Sequence, residues 1–234
     1  MSCLIPAFAQ KPDDDAIFAA VMDAASPYYY PTLMMRYDAG DTTLTHDDYR
    51  HLYYGYAFQD EYRPLEPTIG EGEILSVFDR NPEPGPVEAE RIIHYARQVM
   101  EQDPFSPKNI NFMIYAYGVL GDSINERINA DRLRKILEVI DSSGTGLKEG
   151  SPWHVLWFSH VNDFLGSRGL EILRRRVVER SVEYVTLTEP DGRNKGYYFD
   201  FGRVYWKKPE NLPEKRVDGI KFENFGPKYR GAIR

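Results

Sequence analysis

The sequence predicts an α+β protein that is mainly helical along its N-terminal two-thirds, where two helices form an antiparallel pair, and ends in a small C-terminal antiparallel sheet. Between Val87 and Ile140, apolar residues recur at steps of three and four, which is the period of one helix face. The segments Val182–Thr188 and Gly196–Trp206 instead alternate between apolar and polar residues, which is the period of a strand. The turn-forming residues 190–195 lie between them and predict a hairpin.

The length and composition bound the class of protein. A chain of 234 residues is long enough to bury a substantial core. The net charge of −7 disfavours a protein that binds nucleic acid electrostatically. No apolar run approaches the roughly 20 residues of a transmembrane helix. We therefore expect no nucleic-acid partner, no transmembrane segment, no metal and no cofactor.

Residues 1–9 have the pattern of the end of a signal peptide. Ala7-Phe8-Ala9 matches the small-x-small motif before a signal-peptidase cleavage site, which would make Gln10 the mature N-terminus. This pattern predicts export to the periplasm or the extracellular space, with Met1 an internal residue of a longer precursor. Cys3 is the single cysteine and would be removed with the signal peptide. The alternative is an ordinary apolar N-terminus.

Residues 10–80 form the predicted N-terminal helical region. A first helix is expected over Asp13–Ala25, with its acidic start at the positive end of the helix dipole. A second begins near Pro31, a third is capped by Thr45 and Asp48 and runs to about Phe58, and a short fourth covers Glu73–Phe78. Residues 81–86 are rich in proline and glycine and mark the clearest boundary in the chain.

Residues 86–142 predict two amphipathic helices joined by a short turn, and then a third helix. Proline disfavours helix at the residue before it, so Asp103-Pro104 ends the first helix. Ser106 is the predicted cap of the second helix, and Gly121 is its left-handed end. The third helix is expected to begin with Ser123 and Glu126 as a capping box.

This helix pair resembles the tetratricopeptide repeat at a set of positions in and around its second helix: Asp103-Pro104, Pro107, Ile110, Met113, Ala116, Tyr117 and Leu120-Gly121-Asp122. It departs from the repeat at Ile114, where a small residue is expected, and only one good copy is present. We expect that a peptide or protein segment could lie against this helix pair near Asn109, Asn111 and Tyr115. The alternative is a helical core element that binds nothing.

Residues 152–206 are predicted to form the small antiparallel sheet with one helix. His154–Ser159 is short, apolar and aromatic, which indicates a buried strand. Arg168–Arg180 is predicted to be a helix with Leu170, Leu173 and Val177 facing inward. Residues 207–234 form a predicted irregular tail with eight Lys/Arg and four Asp/Glu, which we expect to fold over the acidic surface of the protein.

The candidate catalytic residues are His154, His160, Asp163 and Asp200. His154 and His160 are six residues apart, so on a continuous strand they would share a face. With the two aspartates they could bind a metal ion or act as an acid–base pair in a hydrolase. The alternative is that both histidines lie at strand ends, in solvent or bonded to the backbone. The sequence contains no zinc-protease, calcium-loop, Walker or nucleophile-elbow motif.

Tyrosines are concentrated on the predicted third helix, where Tyr49, Tyr53 and Tyr56 share a face. Because tyrosine rings are amphipathic, such a row could form a wall that binds a glycan or a peptide. The alternative is that these tyrosines belong to the core and its boundary.

Three stretches together resemble a family of exported proteins from Gram-negative bacteria known as domain of unknown function 4919. They are Tyr28–Phe58, the helix pair ending in Leu120-Gly121-Asp122, and the strand around Tyr197–Phe201. The resemblance supports export and implies no catalytic residues. The leading hypothesis is therefore a non-enzymatic exported interaction protein that binds a peptide or protein segment on its helical face. A hydrolase and a glycan-binding module are the alternatives.

Overall fold

The computed structural model describes residues 10–206, and this part of the chain is α+β and mainly helical, as predicted. Helices precede a sheet of four strands, and one further helix crosses from the first strand to the second. The elements are α1 (Asp14–Met22), α2 (Tyr30–Asp38), α3 (His46–Gly55), α4 (Glu71–Arg80), α5 (Pro86–Gln102), α6 (Pro107–Val119), α7 (Ser123–Ser142), β1 (Trp153–His154), α8 (Phe158–Gly166), β2 (Ile172–Glu179), β3 (Val182–Asp191) and β4 (Asn194–Asp200).

Short-range signals place the helix ends close to where the sequence predicts them. The side chains of Thr45 and Asp48 form a reciprocal capping box at the start of α3. Ser106 accepts a hydrogen bond at the start of α6. Gly121 has φ +70° after α6, as a left-handed helix end requires. One cap is displaced by a residue, because the side chain of Asp122, rather than Ser123, accepts from Asn125 N at the start of α7.

Two hydrophobic clusters fill the interior. The smaller packs α4 against α5 and α6, with Ile74 and Ile92 fully buried. The larger joins the N-terminal helices to α7, α8 and the inner face of the sheet. It includes Leu52 from α3 and Phe199 from β4, both without exposed surface. The sheet is therefore built onto the helices through a shared core.

The segment predicted as a helix over Arg168–Arg180 is strand β2, and that prediction is wrong. Gly169 turns the chain with φ +70° after α8, and β2 then pairs antiparallel with β3. Leu173 and Val177, predicted to face inward, are each 62% exposed. The spacing of these two residues fits a helix equally well, but pairing with β3 is a long-range interaction that this local pattern does not contain.

The predicted strand His154–Ser159 is also shorter than expected. Only Trp153 and His154 pair with β4, and α8 begins at Phe158. The pairing of β1 with β4 is parallel, so the sheet is mixed rather than antiparallel throughout, with the order β1-β4-β3-β2. Its β3–β4 hairpin is present as predicted. Strand β2 forms the outer edge, where the side chains of Arg174 and Arg176 are exposed.

The signal-peptide pattern at residues 1–9 and the basic segment 207–234 lie outside the described residues. Among residues 10–206, no helix combines the length and apolar character needed to cross a membrane. Helices α5 and α6 do form neighbours joined by a short turn, and their likeness to a tetratricopeptide repeat stays a prediction.

We expect Gly144→Ala to destabilise the protein by about 1–3 kcal/mol, the typical cost of overpacking in a filled site. A Cβ at Gly144 would lie 1.9 Å from the carbonyl oxygen of Pro152, at the turn that leads from α7 to β1. Urea unfolding measures the change in the free energy of unfolding.

Gly150→Ala is the matched control, since a Cβ there meets nothing within 4 Å. It should stay within about 0.5 kcal/mol of the unmodified chain. Equal stability of both variants would contradict this packing argument.

Candidate functional site

An open groove of about 1030 Å³ lies between α2, α5, α6 and α7, and we call it the methionine groove. Its lining includes Met34, Met35, Met100 and Met113. The chain has six methionines, so four of the six lie in this one groove. Methionine is flexible and polarisable, and it adapts to apolar groups of different shape. The groove therefore has a surface suited to apolar side chains.

The floor of the methionine groove is rigid, because its tyrosine hydroxyl groups are bound within the protein. Tyr37 donates to the carbonyl oxygen of Pro104 at 2.8 Å, and Tyr56 donates to that of Gln102 at 3.0 Å. The ring of Tyr30 stacks on that of Tyr56 with 6.3 Å between centroids. What these residues present to the groove is ring surface rather than hydrogen-bonding groups.

Charged side chains line the rim of the methionine groove. Arg132 packs over the ring of Tyr37, 4.4 Å from its centroid, and Arg97 donates to the hydroxyl of Tyr117 at 3.4 Å. Among the described residues, neither arginine forms an ion pair with a carboxylate. Glu101 and Glu61 are exposed on the same rim. A ligand can therefore meet both signs of charge around an apolar centre.

The three binding residues predicted on α6 do not line this groove. Asn109 is only 2% exposed, and its side-chain nitrogen donates to Ser106 Oγ, so it does not form part of a surface. Asn111 is exposed, whereas the hydroxyl of Tyr115 donates to the carbonyl oxygen of Pro84. The side of α6 that faces the groove instead carries Met113 and Tyr117.

The predicted wall of exposed tyrosines is not formed. Tyr49, Tyr53 and Tyr56 are at most 4% exposed, so their rings belong to the core. Burial raises the pKa of Tyr53 well above its ordinary value. The hydroxyl groups of Tyr53 and Tyr56 find acceptors inside the protein, which allows residues of this kind to be buried.

His160 is part of a buried hydrogen-bonded chain. The hydroxyl of Tyr53 lies 2.7 Å from His160 Nδ1, and His160 Nε2 lies 2.9 Å from Asp103 Oδ2. The backbone N–H of Leu156 donates to the same tyrosine hydroxyl at 3.3 Å. Because the tyrosine oxygen accepts from Leu156, we assign its own proton to the hydrogen bond with His160 Nδ1. The ring proton of His160 is then on Nε2, where it faces the carboxylate of Asp103. His160 has no exposed surface, so a substrate does not reach it.

Asp163 lies beside this cluster on α8, where its Oδ2 accepts from the backbone N–H of Lys108 at 3.3 Å. Burial raises the pKa of Asp163 from 3.8 to about 6, against the lowering effects of His160 and Lys108. A carboxyl group that titrates near pH 6 is a feature of many active sites, but structural networks produce it as well. Here it follows from packing against a filled core.

His154 belongs to a different pair, so the predicted catalytic residues do not form one set. Its Nδ1 lies 3.5 Å from Asp200 Oδ2 and 3.4 Å from a guanidinium nitrogen of Arg203. Arginine only donates, so we assign Nδ1 as the acceptor of this contact and the ring proton to Nε2. Burial, with help from Arg203, lowers the pKa of His154 to about 3.

This tautomer is the reverse of the one in a Ser-His-Asp triad, where Nδ1–H faces the carboxylate and Nε2 is the base. The geometry therefore supplies no general base at His154. Both histidines are also buried, which corrects the expectation that they lie in solvent. His154 does lie at the end of a strand, β1, whereas His160 lies on α8. Within residues 10–206, no three His, Cys, Asp or Glu side chains are grouped so as to hold a metal ion.

The family model described as domain of unknown function (DUF4919) matches residues 15–209, which confirms the family resemblance of the sequence. The matched range contains every residue discussed in this section. No curated protein and no solved structure gives a significant match.

We expect Tyr53→Phe to lower the free energy of unfolding by about 1–3 kcal/mol, because it leaves Leu156 N and His160 Nδ1 without a partner inside the core. Chemical denaturation measures the loss. Tyr28→Phe is the control, since Tyr28 is half-buried and stacks on His51 without a hydrogen bond from its hydroxyl to the described residues. A loss as large in the control would show that the effect is not specific to the buried chain.

Asp163→Asn should change how stability depends on pH. The pKa of Asp163 in the folded state lies above its unfolded value, so its favourable contribution is complete below pH 3.8 and is lost as pH rises through about 6. Asparagine keeps an acceptor for Lys108 N without a charge. At pH 8 the variant should be more stable by about 1–3 kcal/mol, a range that allows for solvent screening.

The advantage of Asp163→Asn should disappear near pH 4, and unfolding curves across this range test it. Asp60→Asn, at an exposed position, is the control. The difference in unfolding free energy between this variant and the unmodified chain should not change with pH over the same range. A pH-independent difference for Asp163→Asn would contradict the assignment.

Proposed function

We propose that this chain, which belongs to the DUF4919 family, is an exported interaction protein that binds a peptide or protein segment in the methionine groove and catalyses no reaction. The observation that carries the proposal is the concentration of four of the six methionines in one open groove. Surfaces rich in methionine accept apolar side chains of varied shape, which is typical of proteins that bind peptide segments.

The chemistry of the groove specifies the partner. Met35 is 65% exposed and provides apolar surface at the edge, while Met100 and Met113 lie deeper. Arg97 is exposed and has no carboxylate partner among the described residues, so an acidic group of the ligand can pair with it. We infer a segment with one or two large apolar side chains beside an aspartate, a glutamate or a terminal carboxylate.

An open groove suits such a segment better than it suits a small molecule. Small-molecule sites enclose most of the ligand surface in clefts of about 300–1,000 Å³. The methionine groove has a comparable volume but is bounded by helices on its sides and is open above. An extended or helical segment can lie along it and leave its outer side in solvent.

Export is part of the proposal and rests on the sequence alone. The Ala7-Phe8-Ala9 pattern supports a signal-peptidase site, with Gln10 as the first mature residue. The backbone nitrogen of Gln10 donates to the carbonyl oxygen of Ser142, which holds this residue against the end of α7. N-terminal sequencing of the secreted protein tests this directly, and a mature chain that still begins before Gln10 would contradict it.

The groove is tested by selecting peptides from a random displayed library on the full chain, followed by fluorescence anisotropy on the enriched sequences. We expect enriched peptides to combine large apolar residues with an acidic residue. Met35→Asp should weaken their binding at least tenfold, which corresponds to about 1.4 kcal/mol. Arg97→Gln should weaken acidic peptides more than their amide analogues and reduce the salt dependence of binding.

Met22→Asp is the matched control. Met22 is 52% exposed on α1 and does not line the groove, so the same substitution there should leave affinity within about twofold. Peptides that bind all three variants equally, or a selection that enriches no sequence, would contradict the proposed function.

A further inference from the structure

A second pocket has a volume of about 400 Å³, and we call it the polar pocket. It lies between the chain around Lys11, the loop 149–152 and the turn that joins β2 to β3. His154 and Asp200 line it, at the paired ends of β1 and β4. Arg50 holds the neighbouring chain in place by donating to the carbonyl oxygens of Gln10 and Lys11. The pocket is separate from the methionine groove and shares no lining residue with it.

The ring of His154 presents an unpaired hydrogen-bond donor to the polar pocket. The residue is 2% exposed, and its Nδ1 accepts from Arg203, which leaves the proton on Nε2. No described residue accepts from this Nε2–H. His154 lines the polar pocket, and from this we infer that the small exposed part of its ring faces the pocket. Buried N–H groups normally have partners, so this donor is available to a ligand.

Asp200 supplies an acceptor beside this donor. Its Oδ1 accepts from the backbone N–H of Gly202 at 2.6 Å and from the hydroxyl of Ser181 at 3.0 Å. Its Oδ2 lies 3.5 Å from His154 Nδ1, which carries no proton when it accepts from Arg203, and Oδ2 accepts no hydrogen bond from the described residues. The side chain is 19% exposed, so one carboxylate oxygen can still accept from a bound molecule.

The rim of the polar pocket carries both signs of charge. Lys11 and Arg180 contribute two positive charges, and Glu149 and Glu179 contribute two negative charges. A strongly anionic or cationic ligand would meet like charges on this rim. Hydroxyl groups both donate and accept, so a neutral molecule with several of them can use the carboxylates, the cations and the His154 donor together.

We propose that the polar pocket binds a neutral polyhydroxylated small molecule of the monosaccharide class, with one hydroxyl accepting from His154 Nε2–H and a second donating to Asp200 Oδ2. The volume is near the lower end of the range for small-molecule sites. Because the ring and the carboxylate are fixed by Arg203, Ser181 and Gly202, the site is organised before the ligand enters.

The test follows the ring N–H of His154 by long-range ¹H–¹⁵N NMR of the full chain, with the signal assigned through its loss in His154→Gln. The probes are D-glucose, D-galactose and N-acetyl-D-glucosamine, with glycine and inorganic phosphate as charged comparisons. We expect the Nε2–H tautomer in the free protein and a saturable shift of this signal with at least one sugar.

Gly150→Phe is the blocking variant, because Gly150 lines the pocket and a Cβ there meets nothing within 4 Å. It should weaken sugar binding at least tenfold without altering any buried group. Gly166→Phe is the matched control, since Gly166 also has open space but lies at the end of α8, outside the pocket.

The proposal is overturned if no sugar moves the His154 signal, if the shift persists undiminished in Gly150→Phe, or if only glycine or phosphate produces it. Because the methionine groove shares no residue with this pocket, peptide binding and sugar binding can fail independently.

Discussion

The hydrogen-bonded chain from Leu156 through Tyr53 and His160 to Asp103 holds the molecule together at its centre. It links α3, the turn between α5 and α6, α8, and the segment that follows β1. Polar groups in an apolar interior are costly when unpaired, so each member fixes the position of the next. The packing of these helices therefore has to place all four groups within hydrogen-bonding distance of their partners.

The same buried chain determines where the methionine groove lies. Asp103 is followed by Pro104, whose carbonyl oxygen accepts from Tyr37 on the groove floor. An interaction deep in the core thus positions a turn that is also part of a surface. The polar pocket is supported in a comparable way, by the ion pair of Arg203 with Asp14 behind His154. One cleft combines a rigid floor with adaptable methionines, and the other consists of polar groups whose directions are fixed.

Local chemistry made much of the helical part predictable, and long-range contacts explain most of what was not. Thr45, Ser106 and Gly121 act on neighbouring backbone groups, so their effects can be seen in a short stretch of sequence. The burial of Tyr53 depends on His160, 107 residues away. The groove was not predicted because Met34 and Met113 approach each other only through tertiary packing. The number of methionines in the sequence carried no information about their positions in space.

Strand β2 bears on whether two copies of the molecule can pair through their sheets. It is the outer strand of the sheet, and an outer strand offers unpaired backbone groups to any other strand. Arg174 and Arg176 project from it, exposed, on a chain that is otherwise acidic. Two such edges brought together would place like charges opposite each other at close range. We therefore expect these two arginines, which resemble part of an amphipathic helix in the sequence, to oppose pairing between the β2 edges of two copies.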